Sequence, residues 1–319
     1  MSERKEAVPQ GTAPTYSIGE WYGQGFEKLS PIERYSLARS LAKSGGHLKA
    51  PCPFLAGADC NKKGGVCSLR NYEESSEAGV AFCSGPLVTT CPRRFQEDGL
   101  IFQWVGEVIL GTRTPIVLRE IPFLEDSGVG SRTGSKKKHR KYVGKIDNVL
   151  VNPSRSPLDW CALEQQAVYF SGDAMTLEFQ TLSRKNFESL PLPSGRRHPD
   201  WRSSGPKRLL PQLQTKVRRI RTWGKKMAVV VDEAFFESLA GMKLEEHVSN
   251  AEILWFVVGY EPAPRGWRLV PRRFVSTMLD SSVDALTGGK PLSKEAFELL
   301  LQSKLLAEQK RGSTPTKRQ

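Results

Sequence analysis

The sequence predicts a mixed α/β fold, and two observations lead to that prediction. Two apolar runs, Met227 to Val231 and Ile253 to Tyr260, have the length of buried strands, and Asp232 can cap a helix that follows the first run. Two further strands, Gly144 to Val151 and Trp160 to Tyr169, are separated by the turn-rich segment NPSRSP. Strands followed by helices around a central hairpin predict a mixed sheet with helices packed against it.

Three other segments predict helices. The first begins at Ser30 as N-cap and runs to about Ala42, with Pro31 at its first position and Glu33 placed to complete a capping box. The other two are an amphipathic segment, 99–110, and a terminal helix, 293–309. The chain contains no apolar run long enough to span a bilayer and no secretory signal, so we expect a soluble intracellular protein. We also expect no membrane partner, because no strong apolar face accompanies its basic clusters.

The charge of the chain is strongly positive. Lys plus Arg number 47 against 34 Asp plus Glu, which gives a formal net charge of +13 and favours a polyanionic partner, nucleic acid before an anionic membrane surface. The excess is concentrated in a Gly- and Ser-containing loop, Ser131 to Lys141, and in Pro206 to Lys226, whose apolar spacing indicates a helix with a basic face. A solvated helix face beside a mobile loop is the alternative. The residues expected to contact DNA are Lys136, Lys137, Lys138, Arg140, Lys207, Arg208, Arg218, Arg219 and Arg221.

Five of the six cysteines lie between Cys52 and Cys91. In an intracellular chain this density favours a metal site over disulfides, and the Gly-rich segment Cys60 to Cys67 is too poor in apolar residues to fold by burial alone. Ligation by sulfur alone suits zinc or iron, and the sequence does not choose between them. Free thiols and a redox iron–sulfur cluster remain as alternatives. The nearby basic residues that could offset the thiolate charge are Lys62, Lys63, Arg93 and Arg94.

Charged residues interrupt the apolar runs of the predicted hairpin. Asp147 lies in the first strand, and Glu164 and Gln166 lie two residues apart in the second, so the last two share a face. Two carboxylates that converge on a sheet form a site for a hard cation such as Mg²⁺, which supports phosphodiester hydrolysis. The order resembles the nuclease motif PD-(D/E)xK with Gln166 in the place of lysine. The alternative is a set of solvent-facing strand residues.

Glutamine in the lysine position removes a positive charge from the motif. Gln166 can orient a water molecule, but another group must offset the negative charge that develops during hydrolysis. We expect a second metal ion or Lys145, which shares strand parity with Asp147, to do so. Glu107 is a further candidate for the metal site, with a surface glutamate as the alternative.

Six short segments, in order along residues 50–260, resemble the NotI/EagI family of type II restriction endonucleases. They are Cys52-Pro53-Phe54-Leu55, the segment Cys60 to Cys67 ending Gly-Val-Cys-Ser, Cys91-Pro92-Arg93-Arg94, Ile146-Asp147-Asn148-Val149-Leu150-Val151, Glu164-Gln165-Gln166 followed by Phe170-Ser171-Gly172, and Lys207-Arg208-Leu209-Leu210-Pro211-Gln212. The family also has glutamine where Gln166 stands. Asn148, in contrast, replaces an aromatic residue, and the lysine-rich loop before Asp147 has no counterpart in the family.

The resemblance implies specific roles for these residues. Cys52, Cys60, Cys67 and Cys91 would hold a structural iron or zinc ion, with Cys83 as the alternative fourth ligand. The two carboxylates, Asp147 and Glu164, would bind catalytic Mg²⁺, and Gln166 would position water. The substrate would be double-stranded DNA cut at a GC-rich palindrome by a homodimer, in a prokaryotic cytoplasm beside a cognate DNA methyltransferase.

The expected organisation has four parts. A disordered terminus, 1–15, precedes a four-cysteine, DNA-contacting lobe, 16–95; a PD-(D/E)xK endonuclease core, 96–290, and a C-terminal helix with a basic tail, 291–319, follow. Two other functions remain open from the residues alone. One is a non-catalytic DNA-binding regulator with a structural four-cysteine metal site, and the other is an iron–sulfur redox protein.

Overall fold

The computed structural model describes residues 15–125, 142–288 and 292–312. The terminus expected to be disordered falls, except for Thr15, outside the described residues, as does the basic loop 131–141 with Lys136, Lys137, Lys138 and Arg140. Across the described ranges, no helix has both the length and the apolar character needed to cross a bilayer.

The chain forms two main sheets and a short ribbon. The N-terminal sheet is antiparallel, with strand order β2-β1-β3-β4, and the central sheet is mixed, with order β12-β11-β10-β7-β6-β5. In the central sheet, β10 is parallel to both β7 and β11, whereas the other neighbours are antiparallel. The strands are β1 (Thr15–Trp21), β2 (Gln24–Gly25), β3 (Val66–Glu74), β4 (Ala81–Thr89), β5 (Ile116–Glu125), β6 (Tyr142–Asn152), β7 (Asp159–Gln165), β8 (Phe170–Gly172), β9 (Arg197–Pro199), β10 (Met227–Asp232), β11 (Ile253–Ala263) and β12 (Gly266–Thr277).

Helices cover both faces of the central sheet, so the predicted mixed α/β class is confirmed. The α-helices are α1 (Pro31–Lys43), α2 (Leu100–Val105), α3 (Thr176–Arg184), α4 (Trp201–Ser204), α5 (Leu210–Thr222), α6 (Glu233–Glu237), α7 (Leu279–Thr287) and α8 (Lys294–Gly312). A π-helical turn, Gly106–Leu110, extends α2, and another, Gly205–Leu209, joins α4 to α5.

The predicted helix ends are set by their capping residues. At α1, the Ser30 hydroxyl accepts from Glu33 N at 3.3 Å and Glu33 Oε2 accepts from Ser30 N at 2.7 Å, which completes the capping box. At α6, the Asp232 carboxylate accepts from Phe235 N at 2.8 Å. Both satisfy amide groups that the first turn of a helix leaves without partners.

The central sheet buries apolar side chains on both faces. On one face, Val229 and neighbours from β6, β7 and β11 pack on Leu213 and Val217 of α5. On the other face, Val230 and its neighbours pack on Ile101 and Val105 of α2. Every residue of β10 is buried, because a parallel strand in the middle of a sheet has helices on both sides.

The second strand of the hairpin is shorter than predicted. It was expected to run from Trp160 to Tyr169, but β7 ends at Gln165. Beyond that point the chain leaves the central sheet, since Val168 N donates to Thr89 O of β4 at 2.7 Å and Tyr169 N donates to the Ser204 hydroxyl at 2.8 Å. A long-range hydrogen bond to the N-terminal sheet therefore replaces the continued strand.

The segment between β7 and α4 packs on the N-terminal sheet. Phe179 and Leu182 of α3 join the core of that sheet, and the Phe179 ring stacks on Trp21 of β1 with centroids 5.4 Å apart. Helix α3, which follows β7 and β8 in the chain, therefore contributes to the core of the N-terminal sheet.

A buried arginine joins the two sheets. Arg94 is fully buried; its Nε donates to Glu20 Oε2 of β1 at 2.8 Å, and its Nη2 donates to Trp267 O of β12 at 3.0 Å. Its guanidinium lies 4.4 Å from the centroid of the Phe54 ring and 4.7 Å from that of Tyr260. Arg94 therefore links β12, at the edge of the central sheet, to β1 of the N-terminal sheet. We call the N-terminal sheet, with the segment Cys52 to Cys91, the cysteine-bearing lobe, and the central sheet with its helices the second lobe.

We expect Arg94→Met to lower the free energy of unfolding by about 3–5 kcal/mol, because it leaves the buried Glu20 carboxylate without its cation. Arg268→Met is the matched control, since Arg268 pairs with Glu261 on the surface and such pairs contribute about 1 kcal/mol or less. Urea unfolding followed by circular dichroism measures both. Equal losses in the two variants would contradict the structural role of Arg94.

Asp232 predicts a pH dependence of stability. Burial raises the pKa of its carboxyl to about 6, although it accepts from Thr89 N and Phe235 N. Because the folded pKa exceeds the unfolded one, the folded state binds the proton more tightly between these values, and stability falls as the pH rises through them. Relative to Asp232→Asn, wild type should lose about 2 kcal/mol between pH 4 and 6. Urea titrations at both pH values measure this, and parallel profiles would refute it.

Candidate functional site

Two carboxylates face each other where β6 and β7 separate. The last paired residues are Asn148 and Leu163, and Asp147 and Glu164 come one step beyond them. There each carboxylate takes a backbone amide of the opposite strand: Asp147 N lies 3.4 Å from Glu164 Oε1, and Gln165 N lies 3.5 Å from Asp147 Oδ2. The other oxygens, Asp147 Oδ1 and Glu164 Oε2, accept no hydrogen bond from any residue that the structure describes. The pair is therefore held by one oxygen each and leaves one oxygen each for a ligand.

The two carboxylates differ in environment. Glu164 is 2% exposed, whereas Asp147 faces solvent. Burial, and after it the Asp147 charge, raise the pKa of Glu164 to about 7 against the opposing effect of the Lys216 ammonium. A buried carboxylate beside an exposed one forms a site that is open on one side only.

A lysine from α5 reaches the buried carboxylate. Lys216 Nζ donates to Glu164 Oε1 at 2.6 Å and to Gln212 Oε1 at 2.9 Å, and the lysine is only 6% exposed. In the sequence, Lys216 belongs to the basic segment Pro206 to Lys226 and is not predicted to take part in the site. The signal was present, because Lys216 falls on the helical stripe of Leu213, Val217 and Ile220, which is buried.

The two supporting residues proposed from sequence form ion pairs with other side chains. Lys145 Nζ binds Glu120 Oε2 at 2.9 Å on the exposed surface of β5. Glu107 pairs with Arg113 at 3.2 Å, on the π-helical turn whose Leu110 O accepts from Asn152 at the far end of β6. The structure brings neither residue into contact with Asp147 or Glu164.

Gln166 lines a cavity between the two lobes. The cavity has a volume of about 670 Å³, and its walls come from the cysteine-bearing lobe, the chain after β7 and the start of α5. Gln166 is buried; its backbone N donates to Val230 O at 3.0 Å, and its side-chain amide donates to the neighbouring Ala167 O. Besides Gln166, the polar lining includes Lys62, Lys63, Gln165, Arg208 and Gln212.

Gln165 is a buried polar residue that the sequence analysis left without a role. Its Oε1 accepts from Gln96 Nε2 at 2.8 Å, and Gln96 Oε1 accepts from Arg119 at 2.9 Å. Its Nε2 is buried without a hydrogen-bond partner among the described residues. The residue that follows Glu164 thus carries a buried amide donor with no partner among the described residues.

The basic helix predicted from Pro206 to Lys226 is confirmed by the π-helical turn and α5. Arg208, in that turn, lies with its guanidinium 3.6 Å from the centroid of the Tyr169 ring and lines the cavity. Arg221 pairs with Glu252 at 2.6 Å. Lys207, Arg218 and Arg219 are exposed. These three members of the predicted DNA-contacting set therefore present their positive charges to solvent.

Four of the cysteines share one neighbourhood. The charges of Cys52 and Cys60 act on the pKa of Cys91, and the charge of Cys91 acts on that of Cys67. Burial raises the pKa of both Cys67 and Cys91. Cys83 lies apart on β4, beside Tyr72, where burial raises its pKa to about 11. The structure thus groups Cys91, and not Cys83, with the other three.

A lysine accompanies these thiols. Burial lowers the pKa of Lys62, while the charges of Cys91, Cys67 and Cys60 oppose that shift, and its Nζ donates to Thr90 O at 2.6 Å. Arg93 donates to Asp59 O instead. All four thiols are free, and a set of sulfur donors beside an ammonium fits zinc or iron chemically. Within the described ranges, however, no three His, Cys, Asp or Glu side chains are arranged as ligands of one metal ion.

Comparison with known proteins identifies the family. The family model of the restriction endonuclease NotI matches residues 33–269, which include strands β3 to β11, the carboxylate pair and the four grouped cysteines. No curated protein matches the chain. The match decides against a non-catalytic regulator and a redox protein, the alternatives that the residues had left open. The chain therefore belongs to the NotI restriction endonuclease family and is a type II site-specific endodeoxyribonuclease that cuts DNA.

Proposed function

We propose that the protein hydrolyses double-stranded DNA at a GC-rich palindrome in a Mg²⁺-dependent reaction at Asp147 and Glu164. The observation that supports this most directly is the carboxylate pair, in which each residue is fixed by a backbone amide of the opposite strand. Two free carboxylate oxygens of different residues suit Mg²⁺, which prefers one or two carboxylates and keeps several waters.

The residues divide the work as follows. Asp147 and Glu164 would hold the metal ion, which supplies a lowered pKa for the attacking water and shields the phosphate charge. Gln166 orients the water from the cavity side, because its amide can donate and accept but carries no charge. Glu164 stays in place because Lys216 and Asp147 N both bind its Oε1.

A PD-(D/E)xK core is the arrangement we assign to the central sheet. Its support is topological: β5, β6 and β7 form an antiparallel meander, and α5 then lies in the connection to β10, which is parallel to β7. The acidic residues lie on the two central strands of that unit. In this assignment, Gln166 stands at the position where the motif usually has lysine.

DNA would bind along the cavity and the basic face of α5. Arg208 is held flat on Tyr169 beside Gln166, and Arg218 and Arg219 extend the positive surface along the helix. Exposed cations of this kind contribute salt-dependent affinity for phosphates, and a bidentate arginine can read guanine. A palindrome is matched by twofold symmetry, so we propose a homodimer. A cytoplasmic location beside a protecting DNA methyltransferase completes the proposal.

The four grouped cysteines would hold a structural iron or zinc ion. The support is the chemistry of the donor set, since Cys52, Cys60, Cys67 and Cys91 are free and neighbouring, and Lys62 can offset thiolate charge. Bound there, the ion would stabilise a segment that has little apolar surface of its own. The lobe would then present Lys62 and Lys63 to the cavity.

We expect Asp147→Asn and Glu164→Gln each to lower DNA cleavage at least about 1,000-fold, because each removes a charged ligand of Mg²⁺. Glu120→Gln is the matched control, since Glu120 is an exposed carboxylate of the same sheet. Gel analysis of unmethylated phage DNA with Mg²⁺ gives the rates, and binding assays in Ca²⁺ show whether the variants still hold DNA. Cleavage by either site variant at the rate of Glu120→Gln would overturn the proposed active site.

We expect the purified protein to contain one iron or zinc ion per chain, and Cys67→Ser to lose it. Cys83→Ser should retain the ion, because Cys83 lies apart beside Tyr72. Elemental analysis by mass spectrometry measures the content and also identifies the metal. Loss of the ion from Cys83→Ser with retention in Cys67→Ser would reverse the assignment of the ligands.

A further inference from the structure

Lys216 brings a positive charge to Glu164, whereas the motif of this chain has the uncharged Gln166 in the place of lysine. We propose that Lys216, from helix α5, is the positioning residue that supplies the positive charge normally brought by the motif lysine, and that it acts through Glu164. This inference rests on the proposed function of the carboxylate pair. It concerns a residue outside the strands that carry the motif.

The geometry of Lys216 is that of a built-in partner. Its Nζ lies 2.6 Å from Glu164 Oε1 and 2.9 Å from Gln212 Oε1. One acceptor therefore comes from β7 and the other from the preceding turn of α5, and together they fix the position of the ammonium. The contact uses Oε1 only, and Glu164 Oε2 stays without a partner among the described residues. The lysine therefore orients the carboxylate through one oxygen and leaves the second oxygen without a bond to it.

The other cations considered for this position that the structure describes have partners elsewhere. Lys145 is paired with Glu120, and Arg208 is stacked on Tyr169. Among the residues that the structure describes, Lys216 is the one cation in an ion pair with either Asp147 or Glu164. A buried cation acts more strongly than an exposed one, because its field is less screened by water.

The position of Lys216 separates two roles that one motif lysine would otherwise combine. Gln166, on the cavity wall, orients the water molecule. Lys216, on α5, supplies the positive charge and orients the Glu164 carboxylate. The helix supplies the lysine at a buried position between Leu213 and Val217, so its register is fixed by the core. The packing of α5 therefore places this positive charge beside Glu164, and no residue of the motif strand β7 is needed for it.

The test uses the full-length protein and compares Lys216→Gln with Lys216→Arg. Glutamine keeps a hydrogen-bond donor but no charge, and arginine keeps the charge. Lys225→Gln is the matched control, because Lys225 pairs with Asp159 of the same strand β7 at 2.9 Å and lies outside the site. Single-turnover cleavage in Mg²⁺, DNA affinity in Ca²⁺ and thermal midpoint are measured for all, and the rates are scaled to the folded fraction.

We expect Lys216→Gln to slow single-turnover cleavage about 100-fold, as loss of one preorganised electrostatic group does. DNA affinity in Ca²⁺ should stay unchanged, Lys216→Arg should recover at least part of the rate, and Lys225→Gln should cleave like wild type. A role in folding alone would move the midpoint and leave the scaled rate intact.

Two outcomes would overturn the inference. One is a scaled rate for Lys216→Gln equal to or above that of wild type, and the other is an equal loss in the Gln and Arg variants at unchanged thermal midpoints. Either result with Asp147→Asn inactive leaves the proposed active site standing and removes only the role of Lys216. An active Asp147→Asn variant would instead remove the proposed function itself.

Discussion

The buried guanidinium of Arg94 is the contact on which the arrangement of the two lobes depends. It pairs with Glu20 of the N-terminal sheet, with Glu97 and with a carbonyl of β12, and two aromatic rings enclose it. A charge taken out of water is tolerated only where several partners replace its hydration, so the pairing permits few other positions of one lobe against the other.

The carboxylate site uses the same physical means on a smaller scale. Asp147 and Glu164 end a strand pairing, and their side chains take up backbone amides that the ladder no longer satisfies. Glu164 is buried at some cost in solvation, which its rise in pKa reflects, and Lys216 offsets part of that cost. Local separation of two strands therefore creates both the open face of the site and the constraint that holds its acids.

What the sequence predicted correctly is mostly local. The caps at Ser30 and Asp232, the buried strands β10 and β11 and the basic helix all follow from neighbouring residues. The opposed carboxylates were also foreseeable, because a hairpin of the two predicted strands can bring Asp147 alongside Glu164. The end of β7 and the position of Arg94 were not, since both are set by partners more than seventy residues away. Lys145 was a reasonable candidate by parity, but the exposed Glu120 on the next strand takes its charge.

The positive charge of the chain serves different purposes at different depths. Arg218 and Arg219 lie in water, where screening limits each to a modest, salt-dependent attraction for phosphate. Lys216 and Arg94 lie in the interior, where the same unit charge acts at short range and fixes a carboxylate. The net charge indicates a polyanionic partner, but it does not distinguish these buried cations from the exposed ones. A lysine on the apolar stripe of α5 says more about the site than the overall excess of basic residues, because burial decides how strongly a charge acts.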